Sequence, residues 1–364
     1  MIPMVDLKRQ YHNLKNEIDA AISDVLEQTR FILGPNVSAL EEEVAAYHDL
    51  SYAAGVANGT DALLLALRAC GIGAGDEVIT TPFTFIATAE VIALLGATPV
   101  FVDICPETYN LDCSRIAERI TSRTKAIIPV HLFGHPADMQ PIMEIAGKHN
   151  LKVIEDCAQA FGAKYNGKKV GTIGDVGCFS FFPSKNLAGY GDGGMVITDN
   201  KEIAGQVKML RNHGSAKRYY HQTIGYNSRL DEIQAAIIRV KLKKIDRFNE
   251  ARRQNAAAYC EAIKSRNITL PVSASNCEHV YHQFTIRAKN RDVLADALQK
   301  KDIASAVYYP VPLHQQEVFL DLYNVSVQLP QSEKCAQEVL SLPMFPELSR
   351  EEIRLIADVI NNAS

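Results

Sequence analysis

The chain is expected to fold as an α/β protein, a sheet covered by helices on both faces, followed by a smaller α+β domain. Three observations predict this. Apolar strand-like runs alternate with helical patterns through the first half. The runs are apolar throughout, as in strands buried on both faces. From Leu230 the pattern changes to apolar residues at helical spacing. The boundary is set at residue 245, giving a large domain over 1–245 and a smaller one over 246–364.

The strands are read in order at Tyr52–Val56, Glu77–Thr81, Pro99–Asp103, Ala126–His131, Lys152–Glu155, Gly177–Phe182 and Met195–Thr198. Helical segments between them include Asp61–Cys70, Ala87–Leu95 and Met139–His149. Leu230, Ile233, Ile237, Val240, Ile245 and Phe248 then recur near helical period. They predict one long helix, or two in succession, up to about Lys264. Val280–Arg287, Arg291–Lys301, Val307–Tyr309 and Arg350–Ile360 supply the smaller domain.

Bulk properties exclude several classes. The 364 residues carry a formal net charge of −4 with no long run of one sign, so nothing points to nucleic acid or an anionic membrane. The opening residues are too polar for a signal peptide. The longest near-apolar stretch, Val91 to Val102, is interrupted by Gly96 and Pro99 and is too short to span a bilayer. Eight scattered cysteines show no Cys-x-x-Cys pair and no zinc spacing. They read as free thiols of a cytoplasmic protein. Asn-x-Ser/Thr matches at Asn36, Asn267 and Asn324 are then chance.

One lysine organises the chemistry. Lys185 follows Phe181-Phe182-Pro183-Ser184, with Val153-Ile154-Glu155-Asp156-Cys157-Ala158-Gln159 ahead of it and Gly189-Tyr190-Gly191-Asp192-Gly193-Gly194 behind. This is what pyridoxal 5′-phosphate needs: an amine to hold the aldehyde, and a carboxylate, Asp156, to keep the pyridine nitrogen protonated. Lone Lys and Asp residues are usually exposed; here other features converge on the same cofactor. Gly59 and Thr60 open a helix after a strand, where backbone N–H groups and the helix dipole favour an anion. The same residues also read as an ordinary helix cap. Gly189-Tyr-Gly-Asp-Gly-Gly matches a dinucleotide fingerprint in letters, but it leads into a strand rather than a helix. It is read as a tight turn.

These motifs, with Ala57 to Ala62, Asn227-Ser228-Arg229-Leu230-Asp231 and Tyr309-Pro310-Val311-Pro312-Leu313-His314, resemble the DegT/DnrJ/EryC1/StrS family of sugar aminotransferases along nearly the whole chain. The resemblance implies a fold-type I aminotransferase with a mostly parallel seven-stranded sheet. It implies catalytic Lys185 and Asp156, with Gly59, Thr60 and Ser180 at the cofactor phosphate. Phe85 would stack on the ring, and Gln159 would lie near the 3′-oxygen. Asn227 would reach the phosphate of the partner subunit's cofactor in a homodimer with shared sites. Arg229, Tyr309 and His314 would bind substrate. No metal is implied. His213, His221 and His282 lack such support and read as surface or core groups.

The implied reaction moves an amino group from L-glutamate to a nucleotide-linked keto sugar, in two half-reactions with Lys185 carrying the proton. The Asn227 loop resembles C3-aminating members of the O-antigen type, which serve lipopolysaccharide biosynthesis. A UDP-linked 2-acetamido-3-oxo-glucuronate is favoured over a dTDP-linked 3-oxo-6-deoxyhexose, with C4 amination open. Two rival classes are a pyridoxal-phosphate sugar dehydratase, in which a histidine replaces the lysine, and a non-catalytic regulator. Lys185 and Asp156 argue against both.

Overall fold

The computed structural model describes residues 1–323 and 327–363; Asn324 lies outside them. The strands are β1 (Tyr52–Val56), β2 (Glu77–Thr80), β3 (Thr98–Phe101), β4 (Thr124–Ile128), β5 (Lys152–Asp156), β6 (Lys164–Tyr165), β7 (Lys168–Lys169), β8 (Val176–Ser180), β9 (Gly194–Thr198), β10 (Ser215–Lys217), β11 (Tyr220–His221), β12 (Cys277–Glu278), β13 (Phe284–Arg287) and β14 (Val339–Leu342). The helices are α1 (Leu7–Gln28), α2 (Pro35–Tyr47), α3 (Gly59–Ala69), α4 (Ala87–Leu94), α5 (Met139–His149), α6 (Lys201–Leu210), α7 (Glu232–Leu242), α8 (Ile245–Ala262), α9 (Arg291–Gln299), α10 (Glu317–Tyr323), α11 (Pro330–Glu338) and α12 (Arg350–Ala363).

Seven strands form one sheet in the order β1-β9-β8-β5-β4-β2-β3, and β9 alone runs against the others. The chain is therefore α/β with a mostly parallel sheet. Apolar clusters lie on both faces. One joins Leu63 to Leu67 of α3 with Val207 and Leu210 of α6. Others set Leu40 and Val44 of α2, or Ile142 and Ala146 of α5, against the opposite side. A further core surrounds the antiparallel pair β13–β14, with Tyr259 of α8, Leu294 and Leu298 of α9, and Ile353 and Ile356 of α12. Ile2 packs there too, bridged to Ile303.

The helical run after Leu230 is two helices, α7 and α8, broken at Lys243-Lys244. Val307–Tyr309 forms no strand; only Ala306 bridges to Ser341. Helices α1 and α2 have no counterpart in the sequence reading. The cap of α2 explains part of this. Its N-cap is Gly34, and the Gly34 and Val37 N–H groups donate to Glu232 at 3.0 and 3.1 Å, with Asn36 N–H also on that carboxylate. The capping acid is far away in sequence.

Strand alternation sends Glu155 and Asp156 to opposite faces of β5. Glu155 and His131 are both 0 % exposed and 3.0 Å apart. His131 Nδ1 accepts from Ala137 N–H, so Nε2 carries the proton and donates to Glu155. Glu155 also accepts N–H groups of Gly171, Ile173 and Gly174 at 2.8, 2.8 and 2.7 Å. Burial alone would raise this carboxyl; His131 and the backbone donors outweigh it and hold it below the usual value. Cys157 completes a compact His–Glu–Cys group, but both carboxylate oxygens already carry N–H donors. The group is a structural clamp on the 171–174 loop. Glu155→Leu should cost about 3–5 kcal/mol, because it leaves several buried donors unpaired. The check is the shift in urea midpoint at unchanged slope; a midpoint within error of wild type would show the clamp to be dispensable.

Candidate active site

A cavity of about 730 Å³ opens at the carboxyl ends of the parallel strands, where open α/β sheets place their ligands. At one end, α3 starts immediately after β1. Asn58 caps it, its Oδ1 accepting from Asp61 N–H at 2.8 Å. Among the described residues, the Gly59 and Thr60 N–H groups donate to no protein acceptor. Free N–H groups at a helix start suit an anion. Position 59 must be glycine, since a Cβ there would sit 2.6 Å from the Ser180 Cβ. Ser180 ends β8, so helix start and strand end meet and present N–H and hydroxyl groups together.

At the other end stands Asp156, 5 % exposed. Thr88 on α4 donates its hydroxyl to Oδ2 at 2.8 Å, and Ala158 N–H donates to Oδ1 at 3.1 Å. Thr84 lies 3.2 Å behind Thr88. Burial pushes the Asp156 carboxyl up; Thr88, Ala158 N–H and the Lys185 cation pull the other way without cancelling it. Lys185 faces the same cavity. Burial lowers its amine from 10.5 to about 8, opposed by Asp156. A substantial fraction of this amine is neutral near pH 8, as a nucleophile or base requires.

Between these ends the wall is aromatic. Phe85, 56 % exposed, turns into the cavity with Phe182 and Tyr309; the Phe85 and Tyr309 ring centres lie 6.4 Å apart. Gln159 donates to the Tyr309 hydroxyl at 3.1 Å and accepts from Phe133 N–H at 2.7 Å, which fixes its amide and, among the described residues, leaves one N–H without a partner. His282 and Gln283 close the wall beside Lys185.

Eight of the candidate residues thus line one cavity: Gly59, Thr60, Phe85, Asp156, Gln159, Ser180, Lys185 and Tyr309. Three do not. Asn227 is exposed and bridged to Asn212, and Arg229 donates to the Asn212 side chain at 3.2 Å. His314, expected to bind substrate, is 2 % exposed, with Nε2 3.1 Å from Glu333, and does not line the cavity. Its short helical turn is pulled under the wall by Leu313, packed against Ala89, Phe101 and Phe319. Thr88 has no part in the sequence reading, and His282 enters it only as a surface or core group. Thr88 recurs four residues after Thr84 at a helix start, which is a weak signal; His282 had none.

A model of the DegT/DnrJ/EryC1/StrS aminotransferase family matches residues 12–361. The pleiotropic regulatory protein of Geobacillus stearothermophilus is 51 % identical, covering 99 % of this chain and 97 % of that protein. UDP-N-acetyl-3-dehydro-alpha-D-glucosamine 3-aminotransferase of Acidithiobacillus ferrooxidans is 52 % identical, with the same coverage. UDP-2-acetamido-2-deoxy-3-oxo-D-glucuronate aminotransferase of Pseudomonas aeruginosa is 45 % identical over 100 % of both chains. The solved structure of DesV from S. venezuelae, in complex with a ketimine intermediate, superposes with a TM-score of 0.97 at 44 % identity, covering 99 % of this chain and 98 % of that one. With an amine, a buried carboxylate and a free helix start on one cavity, this chain belongs to the DegT/DnrJ/EryC1/StrS aminotransferase family.

Proposed function

We propose that this aminotransferase moves an amino group from L-glutamate to the C3 keto group of a UDP-linked 2-acetamido sugar, as a cytoplasmic homodimer serving surface-polysaccharide synthesis. The observation that carries the chemistry is the pairing of Lys185 with Asp156 across a cavity whose far end is an unpaired helix start. The likeness to two C3 aminotransferases acting on UDP-linked 2-acetamido sugars supports the substrate class. A glucuronate or a glucosamine derivative both fit this reading, and the overall resemblance to the O-antigen branch favours the glucuronate. The likeness to a protein named as a regulator does not displace it, because this chain keeps both Lys185 and Asp156.

Pyridoxal 5′-phosphate fits these residues. When bound, it supplies an aldehyde that takes an amine and a ring that accepts electron density from the reacting carbon. Gly59 and Thr60 N–H with the Ser180 hydroxyl would hold its phosphate. Asp156, with a donor on each oxygen, would keep its ring nitrogen protonated. Phe85 would cover the ring face and exclude water. Lys185 would move the proton in both half-reactions, its lowered pKa leaving the amine neutral near pH 8. Tyr309 lies at the wall for the substrate. Arg229 and Asn227 would serve the partner's site, a reading supported by the wall itself. Among the described residues it carries the carboxylates of Asp61, Asp156 and Asp192 but only the Lys185 cation, a poor match for phosphates and dicarboxylates.

Turnover of a panel of 3-oxo and 4-oxo nucleotide sugars with glutamate tests the assignment; selective amination of 4-oxo substrates would overturn it. Lys185→Ala should abolish transamination, and Asp156→Asn should lower it by about a hundredfold. Near wild-type rates in either variant would remove that residue from the chemistry. Recombination of apoprotein with pyridoxal phosphate should speed up as pH rises through about 8, where Lys185 loses its proton. A flat profile between pH 7 and 9 would contradict an amine that titrates near 8.

Mixing Lys185→Ala with Asn227→Ala subunits tests the shared site. Mixed dimers would hold one site with both defects and one with neither, so activity should return towards about a quarter of wild type. Mixed dimers that stay inactive would assign Asn227 to its own subunit.

A further inference from the structure

Thr84 and Thr88 form a buried hydroxyl pair behind Asp156, 2 and 1 % exposed. Thr88 Oγ1 lies 2.8 Å from Asp156 Oδ2, and Thr84 Oγ1 lies 3.2 Å from Thr88 Oγ1. A carboxylate can only accept, so the Thr88 hydrogen points at Asp156. The Thr88 oxygen is then the acceptor in the other contact, and Thr84 is its donor. The two hydrogens run in one direction, from Thr84 to Thr88 to Asp156. Thr84 belongs to the segment between β2 and α4, and Phe85 follows it directly. Thr88 stands in the first turn of α4. Among the described residues, no other side chain donates a hydrogen bond to Asp156; its second donor is the Ala158 N–H at 3.1 Å.

We propose that this hydroxyl pair decides where the proton shared by Asp156 and the ring nitrogen of pyridoxal phosphate resides: Thr88, polarised by Thr84, keeps Asp156 a carboxylate, and the proton stays on the ring. Both threonines are positioning residues that act through Asp156, and the assignment rests on the part given to Asp156 above. A carboxylate and a pyridine that share one proton compete for it. Burial favours the neutral pair, with the proton on the acid. A hydrogen bond donated to the carboxylate favours the charged pair. A ring without its proton accepts electron density poorly, so the Thr88 hydroxyl supports the chemistry without touching the substrate.

The surroundings give Thr88 this weight. Burial is the largest influence on Asp156 and pushes its carboxyl up; the Thr88 hydroxyl comes next and opposes it, followed by Ala158 N–H, the Lys185 cation and His131. The thiols of Cys157 and Cys178 and the Tyr309 hydroxyl feel the Asp156 charge, but burial above all pushes each of them up, so they stay neutral. Asp61 and Asp192 share the cavity wall and supply no donor. Glu155 faces the other side of β5, held by His131 and backbone N–H groups. The pair also joins two halves of the ring site. Thr84 precedes the aromatic residue proposed to cover the ring face, so a displacement of Phe85 would strain the Thr84–Thr88 contact and reach Asp156.

Two measurements test this without relying on turnover. Thr88→Val keeps the side-chain shape and removes the hydroxyl, so a part in packing alone predicts no change in either. The first is the carboxyl titration of apoprotein labelled with carbon-13 in its aspartates, with Asp156 identified by the signal lost in Asp156→Asn. Thr88→Val should raise the Asp156 midpoint by about one unit, the size of one hydrogen bond to a charged group. The sign is upward because the lost donor favoured the charged form. Thr88→Ser should return the midpoint close to wild type, and Thr84→Val should raise it by less than Thr88→Val does. A wild-type midpoint in Thr88→Val overturns the assignment; one in Thr84→Val removes Thr84 from it. The second is the nitrogen-15 signal of ring-labelled pyridoxal phosphate bound to the protein. It should read as protonated in wild type and Thr88→Ser, and move towards the neutral value in Thr88→Val. Asp156→Asn is the control. If the ring stays protonated there, the Asp156 reading fails and this one with it. If Asp156→Asn loses the ring proton while Thr88→Val keeps it as wild type does, the hydroxyl assignment alone fails.

Discussion

Everything in the site hangs on two adjacent buried carboxylates at the end of β5. The pleat points Glu155 and Asp156 to opposite faces, and their surroundings give them opposite lives. Glu155 is saturated by His131 and three backbone N–H groups, and its proton affinity falls. Asp156 has one donor per oxygen and a cavity in front of it, and its proton affinity rises. The first carboxylate is spent on structure. The second keeps unused acceptor capacity, which a reacting group can claim. Backbone coupling ties them: His131, which grips Glu155, also donates its main-chain N–H to the Asp156 carbonyl at 3.1 Å. A shift in the clamp would therefore displace the reacting acid.

The fold was legible because its signals are local. Strands buried on both faces show as unbroken apolar runs, and all seven sheet strands lie within a few residues of where those runs place them. The site was legible where chemistry leaves a short motif, as at Asn58 to Asp61, Glu155 to Gln159 and Ser180 to Lys185. It was hidden where a partner is set by folding. Thr88 matters because α4 brings it 2.8 Å from a residue on another strand. His282 looks like any histidine until Asn186 and Asn249 orient it. Likewise Glu232 reads as the first acid of its own helix, although it caps α2. His314 shows the reverse case: a good local motif led to a side chain that folds beneath the wall.

The exposed face near Asn227 has a distinct character. Tyr219, Tyr220 and Ile224 are 78, 65 and 80 % exposed, in a segment that includes the short hairpin β10–β11. Lys217 and Arg218 lie over the Tyr220 and Tyr219 rings at about 5 Å. Aromatic faces joined to mobile-headed cations suit a surface that meets another polar, negatively charged surface. The cavity wall, with its excess of carboxylates, has that complementary sign.

The contact between Gly59 and Ser180 has a consequence for how this enzyme can change. The two positions sit on separate elements, yet the space between them admits no added carbon at 59. Gly194 is equally tight, since a Cβ there would come within 2.3 Å of the Asn58 carbonyl. Substrate preference can drift through the aromatic and polar residues of the opposite wall without disturbing this corner. The corner itself is a ratchet: neither glycine can be enlarged without collision, so selection for a new sugar must leave this helix start as it is. Directed evolution of substrate range would be expected to accumulate its changes around Phe85, Phe182 and Tyr308, and to return variants at 59 and 194 as glycine.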